Sequence, residues 1–405
     1  VKDFTKAFFP KIPIGDVAMV VNGGTPKSKV AEYWGGDVQW LTPKDMGRME
    51  SREISKTPRT ITQAGLKGSS ARLVPAGSVI LSTRAPIGHL AINTVPMAFN
   101  QGCRAIITSD KLDPVYLYYF LYMSRDLLND LGSGTTFKEL SATNLKSVKI
   151  PFPPLEEQKR IVAVLDAAFE GLARARAHVE ANLQNAQELF ESYIENHIAN
   201  LEQHALVPLE ELSEVVSGYS FSSGDFDSDN PIQSIKITNV GLKQFVETDT
   251  AKLPIEYLSE FSRFSIPHGS IVIALTRTII SGGLKVAIVP ESFSGALLNQ
   301  RVAALKVSNN DTLRDFLYLF LGSSFVVKYV QEKANTLMQP NLSINDLKKL
   351  PVPKVCDDQQ KKLVESATNL RKRVFDLIEQ YQSTMQDLDD LRQSLLQKAF
   401  AGELT

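Results

Sequence analysis

Two stretches of the chain carry an apolar pattern too long for a globular domain. After Pro151-Phe152-Pro153-Pro154, no proline and no glycine other than Gly171 interrupts the sequence before Pro208. Along this stretch apolar residues recur at alternating steps of four and three. They are Val162, Leu165, Phe169, Leu172, Val179, Leu183, Ala186, Phe190 and Tyr193, with Arg176 as the one break. A second stretch repeats the spacing with Leu363, Ala367, Leu370, Val374, Leu377, Tyr381, Leu388, Leu391 and Leu395, broken at Thr384. This is a heptad seam, the pattern of helices that pair along their length. A helix of about 44 residues at ~1.5 Å per residue runs ~65 Å, which makes each one a spacer. If the second seam is buried against the first, the second helix runs back antiparallel. The globular parts then lie at opposite ends of the pair, related by a pseudo-twofold axis.

Those globular parts are mixed. Short β-branched runs at 78–82, 104–108, 270–275 and 302–307 are bounded by Pro and Gly as strands are, and helical stretches lie at 114–129 and 312–332. The two halves also resemble each other at a spacing of about 195 to 202 residues. Val20-Val21-Asn22-Gly23 returns as Val215-Val216-Ser217-Gly218, and Val74-Pro75-Ala76-Gly77 as Ile266-Pro267-His268-Gly269. Thr83-Arg84 is matched to Thr276-Arg277, Asn100-Gln101 to Asn299-Gln300, and Leu140-Ser141 to Leu342-Ser343. The expected fold class is therefore α+β: two mixed α/β domains in tandem repeat, separated by two long antiparallel helices that form a coiled coil.

Composition narrows the function. With 405 residues, 43% hydrophobic and 22% charged, the chain has material for two or three cores. No apolar run approaches the roughly 18 residues of a membrane span, so a cytoplasmic location and no membrane partner are expected. Cys103 and Cys356 are far apart, and the five histidines are scattered, which gives neither a disulfide framework nor a zinc site. The net charge of −1 hides an asymmetry: Val1 to Pro154 holds 19 Lys and Arg against 12 Asp and Glu. A basic first segment in a weakly charged chain fits double-stranded DNA bound together with a partner that completes a positive clamp.

Several motifs admit both a functional and a structural reading. Gly23-Gly24-Thr25-Pro26 with Lys27 and Lys29 has the glycines of a phosphate cradle but no Gly-Lys-Ser/Thr ending, and a turn is the preferred reading. Trp34 and Trp40 read as core packing before base stacking. Arg84 and Arg277 follow strand-like runs, where a guanidinium either reaches a guanine edge or a phosphate, or forms a surface salt bridge. The Asn-Gln pairs are able to bond adenine, yet an amide that ties two strands together looks the same, and the tie is preferred. Polar loops at 132–137 and 335–341 differ between the halves, as base-reading loops would. Candidate DNA-binding residues are Lys27, Lys44, Arg84, Arg104, Thr135 and Thr136 in the first half. Those in the second are Lys236, Asn239, Arg277, Arg301, Gln339 and Asn341. No Asn-Pro-Pro-Tyr/Phe, phosphate-binding loop, paired-carboxylate nuclease cluster or Gly-x-Ser-x-Gly is present, so no catalytic or metal-binding residue is proposed.

The duplicated plan, the run Pro-Phe-Pro-Pro-Leu-Glu-Glu-Gln-Lys-Arg-Ile-Val from Pro151 to Val162, the Asn-Gln pairs and the ending Lys398-Ala399-Phe400-Ala401-Gly402-Glu403-Leu404 resemble the specificity subunits of type I restriction-modification systems. The resemblance implies target-recognition domains at 1–154 and 201–356. It also implies a central spacer helix at 155–200 and a C-terminal spacer helix at 357–405. Leu155, Gln158, Ile161, Leu165, Gln360, Leu363, Phe400 and Leu404 are the corresponding partner-binding or spacer residues. In the second copy the Pro-Pro-Leu-Glu-Glu-Gln run is degraded to Val355-Cys356-Asp357-Asp358-Gln359-Gln360. The resemblance further implies two methyltransferase subunits and added restriction subunits as partners, with S-adenosylmethionine, ATP and magnesium used there and no cofactor in this chain. The target would be bipartite and asymmetric with a fixed gap. Two alternatives remain open: a free-standing duplicated DNA-binding protein and a coiled-coil scaffold.

Overall fold

The β-branched runs become small sheets in both halves of the computed structural model, which describes residues 9–84, 86–134, 138–201, 203–248, 252–281, 283–307, 310–333 and 341–404. The first half contributes β1 (Lys11–Pro13), β2 (Ala18–Asn22), β3 (Trp34–Leu41), β4 (Glu53–Ile54), β5 (Thr60–Ile61), β6 (Val79–Thr83), β7 (Ile87–Asn93), β8 (Met97–Phe99), β9 (Cys103–Thr108) and β10 (Lys149–Pro151). Helices α1 (Pro114–Met123), α2 (Arg125–Asp130) and α3 (Ala142–Ser147) follow β9 and precede β10, and the long α4 (Leu155–Leu201) ends the half. The second half contributes β11 (Leu206–Pro208), β12 (Glu214–Ser217), β13 (Ser234–Ile235), β14 (Ser265–Ile266), β15 (Ile271–Ala274), β16 (Ile279–Ile280), β17 (Gly283–Leu284), β18 (Val286–Ile288), β19 (Ala296–Leu298), β20 (Val302–Lys306) and β21 (Pro351–Pro353). Its helices are α5 (Asp311–Leu321), α6 (Ser324–Lys333), α7 (Ile344–Lys348) and the long α8 (Asp357–Ala401).

The repeat seen in the sequence is a repeat of topology. The main sheets run β2-β9-β6-β7-β4 and β12-β20-β15-β18, so the same four strands stand in the same order and the first copy adds β4. A smaller sheet pairs β3 with β8 in parallel in one half and β13 with β19 in parallel in the other. Short pairs close each half, β1 with β10 and β11 with β21. The fold class is the expected one, two mixed α/β domains in tandem with two long helices.

The chain divides into two units, Val1–Glu180 with Gln382–Thr405, and Ala181–Tyr381. Each long helix thus contributes one part to each unit. In the first unit, Val79, Leu81 and Ile106 from the sheet, Tyr116, Leu117 and Phe120 from α1, Ile161 and Leu165 from α4, and Leu396, Ala399 and Phe400 from α8 form one core. In the second, Ile271, Ile273 and Leu305 meet Phe316, Leu317 and Phe320 of α5, Ile194 and Ile198 of α4, and Leu363 and Ala367 of α8.

The seam is modified where it meets these cores. Arg176, its one break in α4, bridges to Asp389 of α8 at 2.8 Å and to Glu180 at 3.0 Å, while Arg160 reaches the carbonyl of Leu404. These contacts set the two helix segments of the first unit antiparallel. Leu391, counted in the seam, is 48% exposed, because the buried face of α8 shifts there to Leu396, Ala399 and Phe400. Beside it, Arg392 lies over the rings of Phe169 (4.8 Å) and Tyr122 (4.9 Å). At the repeat offset of 202 residues, Phe169 corresponds to Arg371 and Phe190 to Arg392, so aromatic and guanidinium exchange repeat-equivalent positions while both rings stay on α4 and both arginines on α8. Phe190 and Arg371 indeed line one cavity with Tyr318 in the second unit.

Gln158 and Gln360 lock the starts of the two long helices, but unequally. Gln158 is fully buried, accepts from Asp113 N (2.9 Å) and donates to Lys111 O (3.0 Å) and Pro153 O (2.9 Å). Gln360 repeats only the last bond, to Val355 O at 2.8 Å, and its Oε1 is buried without a hydrogen-bond partner. Gln158→Ala should therefore cost about 2–3 kcal/mol by stranding three backbone groups, and Gln360→Ala less than about 1 kcal/mol, as read by denaturant unfolding. Equal losses would show that the two locks are equivalent.

Candidate nucleic-acid interface

In each half the end of the main sheet is built on one backbone hub. Gly23 N donates to Cys103 O (3.2 Å), Gly24 N to Phe99 O (2.9 Å), Cys103 N to Asn100 O (2.9 Å) and Asn100 N to Leu41 O (2.8 Å). The second half repeats all four: Gly218 N to Val302 O (3.2 Å), Tyr219 N to Leu298 O (2.9 Å), Val302 N to Asn299 O (2.9 Å) and Asn299 N to Ile235 O (3.0 Å). The amide side chains complete the turn, with Oδ1 of Asn100 accepting from Gly102 N and Oδ1 of Asn299 from Arg301 N. Asn100 also donates to Thr25 Oγ1 (3.0 Å), and that hydroxyl bonds the exposed Gln101. The asparagines are therefore ties, as preferred, and Gly23 and Gly24 form a packed turn rather than an open cradle. The carbonyl of Gly24 accepts from Trp40 Nε1 at 3.0 Å, which places this tryptophan in the core.

Around the hubs the exposed chemistry differs. In the first unit Arg84 bonds Glu139 at 2.7 Å and Arg104 reaches the same carboxylate at 3.4 Å. Hydrogen bonding from Arg84, aided by Arg104, holds the Glu139 carboxyl below the usual carboxylate range. Half of the Arg84 side chain stays exposed beside this salt bridge. Arg104 is mostly buried and donates to Thr83 Oγ1 at 2.6 Å, so it serves the cluster and not an open surface. Lys27 and Lys44 are exposed, and the helix of Lys44, Pro43–Met46, stands beside Gly102 at the same strand end.

In the second unit Arg277 is exposed, adopts a left-handed backbone (φ 49°) and donates its N–H to Asn341 Oδ1 at 3.2 Å. Among the described residues its guanidinium has no ion pair. Burial, reinforced by Arg277, pushes the nearby Lys285 ammonium down from its ordinary value. Arg301 and Tyr219 are both exposed at the same hub, where Tyr219 O accepts from Gln300 N. Asn239 is fully buried and spends its amide on Lys236 N, Val246 O and Thr248 Oγ1, which places it inside the fold. Lys236 lies over the Phe226 ring at 3.8 Å, and burial lowers its proton affinity. Thr135, Thr136 and Gln339 lie outside the described residues.

The matched arginines are not at equivalent positions. Thr83 N bonds Gly102 O and Thr83 O accepts from Leu140 N; the corresponding bonds in the second unit are made by Leu275 with Arg301 O and Leu342 N. Leu275 therefore occupies the place of Thr83, and Arg277 sits one residue further along than Arg84. What sequence reasoning missed is Glu139. The offset of 202 that pairs Leu140 with Leu342 also pairs Glu139 with Asn341, and that charge difference was the available signal.

Of the spacer residues, Gln158, Ile161, Leu165, Gln360, Leu363 and Phe400 are buried in their own unit, and Leu155 and Leu404 are partly buried. Their side chains hold the helices to the chain's own cores.

The model of the type I restriction modification DNA specificity domain matches the sequence twice, over residues 9–179 and 202–384. The chain belongs to this family. The specificity subunit of the type I restriction enzyme MjaIX of Methanocaldococcus jannaschii is 29% identical, with 99% of this chain and 96% of that one covered. That of EcoR124I/EcoR124II of Escherichia coli is 31% identical over 38% of this chain and 39% of its own. Among solved structures, one on complex assembly and conformational transition of the type I R-M system has a TM-score of 0.71, and the HsdS subunit from Thermoanaerobacter tengcongensis 0.62. Both are 18% identical; the first covers 98% of each chain, the second 98% of this chain and 97% of its own, and they show the shared fold. DNA recognition within a type I restriction-modification system is the role of this specificity family, and its members are the non-catalytic subunits, acting with methyltransferase and restriction subunits. Among the described residues no helix is long and apolar enough to cross a membrane.

Proposed function

We propose that the chain reads a bipartite, asymmetric DNA target with a fixed gap, one part through each strand-end patch. In this reading it joins two methyltransferase subunits and the restriction subunits in the cytoplasm. S-adenosylmethionine, ATP and magnesium act in those partners. The observation that carries the proposal is a hub of four identical backbone bonds in each half, surrounded by different side chains: Arg84 with Glu139 in one, Arg277 with Asn341 and Arg301 in the other. A common scaffold with different exposed groups is what two unlike half-sites require. The modest overall charge favours DNA binding in a complex.

DNA retention by the chain copurified with its methyltransferase tests this reading. Binding should be sequence-selective and weaken steeply with salt. Arg277→Ala should lower affinity roughly tenfold and reduce discrimination in one part of the target alone, the loss of one charged contact. Unchanged affinity and unchanged preference would reject the role of Arg277.

A further inference from the structure

Resting on the reading above, we propose that Glu139 is a positioning residue that fixes Arg84 to read a guanine in the half-site of the first domain. The Glu139 backbone is clamped from both sides: its N–H donates to Ser133 O (2.8 Å), its carbonyl accepts from Ser133 N (3.0 Å), and the next residue, Leu140, donates to Thr83 O (3.0 Å). From this hydrogen-bonded base one carboxylate oxygen takes Arg84 at 2.7 Å and the other faces Arg104 at 3.4 Å, itself anchored on Thr83 Oγ1. One carboxylate thus holds two guanidiniums. Arg84 is the outer of the two, with 48% of its side chain exposed.

A carboxylate at this place works against simple phosphate binding, because its charge cancels one arginine and repels the DNA backbone. It works for base reading. A guanine edge offers two acceptors, N7 and O6, that a guanidinium meets only when its plane is set. A buttress on one edge of the fork fixes that plane before DNA arrives and leaves other N–H groups outward. The second unit supplies the contrast. Asn341 occupies the place of Glu139, carries no charge, and bonds the backbone N–H of Arg277 instead of its guanidinium.

The test is the modification pattern of the complex with its methyltransferase, carrying the unaltered chain, Glu139→Gln or Arg84→Ala. Glu139→Gln is expected to reduce preference at one base pair of one half-site roughly tenfold, at the same base pair that Arg84→Ala affects. The other half of the target is unaffected, and affinity for random DNA does not fall, since a negative charge is removed. Glu139→Asp, which keeps the charge but withdraws it by one methylene, replaces Glu139→Gln if that variant does not assemble, with the same expectation at that base pair. An unaltered motif in the Glu139 variant overturns the proposal. So does a loss of affinity and preference across the whole target, the mark of a merely structural salt bridge. If the unaltered complex modifies no two-part motif, the bipartite reading itself fails and the role of Glu139 falls with it.

Discussion

Phe400→Ala is expected to destabilise the first unit by about 3–5 kcal/mol although only five residues follow it in the sequence. Its ring packs 4.9 Å from Tyr116 and 5.5 Å from Phe120, and Leu396 and Ala399 are fully buried on the same helix face. The terminal part of α8 is therefore a structural element of the first domain. Its removal exposes the α1 face that packs on it and leaves in place Leu363, Val364 and Ala367, which α8 gives to the second unit's core. Hydrogen exchange on the variant, or on a chain ending at Tyr381, should show protection lost in residues 79–123 and kept in 271–321. Loss centred on the second unit would contradict the assignment.

Gly23→Ala and Gly218→Ala are each expected to disrupt one hub. A Cβ at either position would stand 2.1 Å from a carbonyl oxygen, that of Asn100 or of Asn299, and neither backbone has room to move without breaking the hub. Overpacking of this kind costs about 1–3 kcal/mol and shifts the strand ends. Because each hub carries one patch, each substitution should erase recognition of one part of the target and spare the other. Methylation mapping of the two variants reads this directly; loss of the same part in both would mean that the hubs do not serve separate half-sites.

The repeat was legible in the sequence because its signals are local: glycine and asparagine where backbones approach closely, and a Leu-Ser cap before a short helix. Ser141 and Ser343 cap α3 and α7 in the same way, each accepting from the backbone N–H three residues on. The one-residue slip between Arg84 and Arg277 was not legible, since Thr-Arg occurs in both copies and only the hydrogen bonds of Thr83 and Leu275 reveal the true register. The seam gave the two helices but not their destinations. An apolar stripe states that a face is buried, not against which core, so the return of Phe400 to the first unit required tertiary structure. Arg104 and Asn239 carry chemistry that an interior network uses as readily as DNA does; burial alone separates the two uses.

In the proposed function one chain reads two unlike DNA sequences through two copies of one scaffold. The decisive measurement is to map modified adenines across genomic DNA after co-expression of the chain with the methyltransferase encoded beside it. A single gapped motif of two different parts with constant spacing is expected. A contiguous motif, two identical parts or modification in no defined pattern would contradict it.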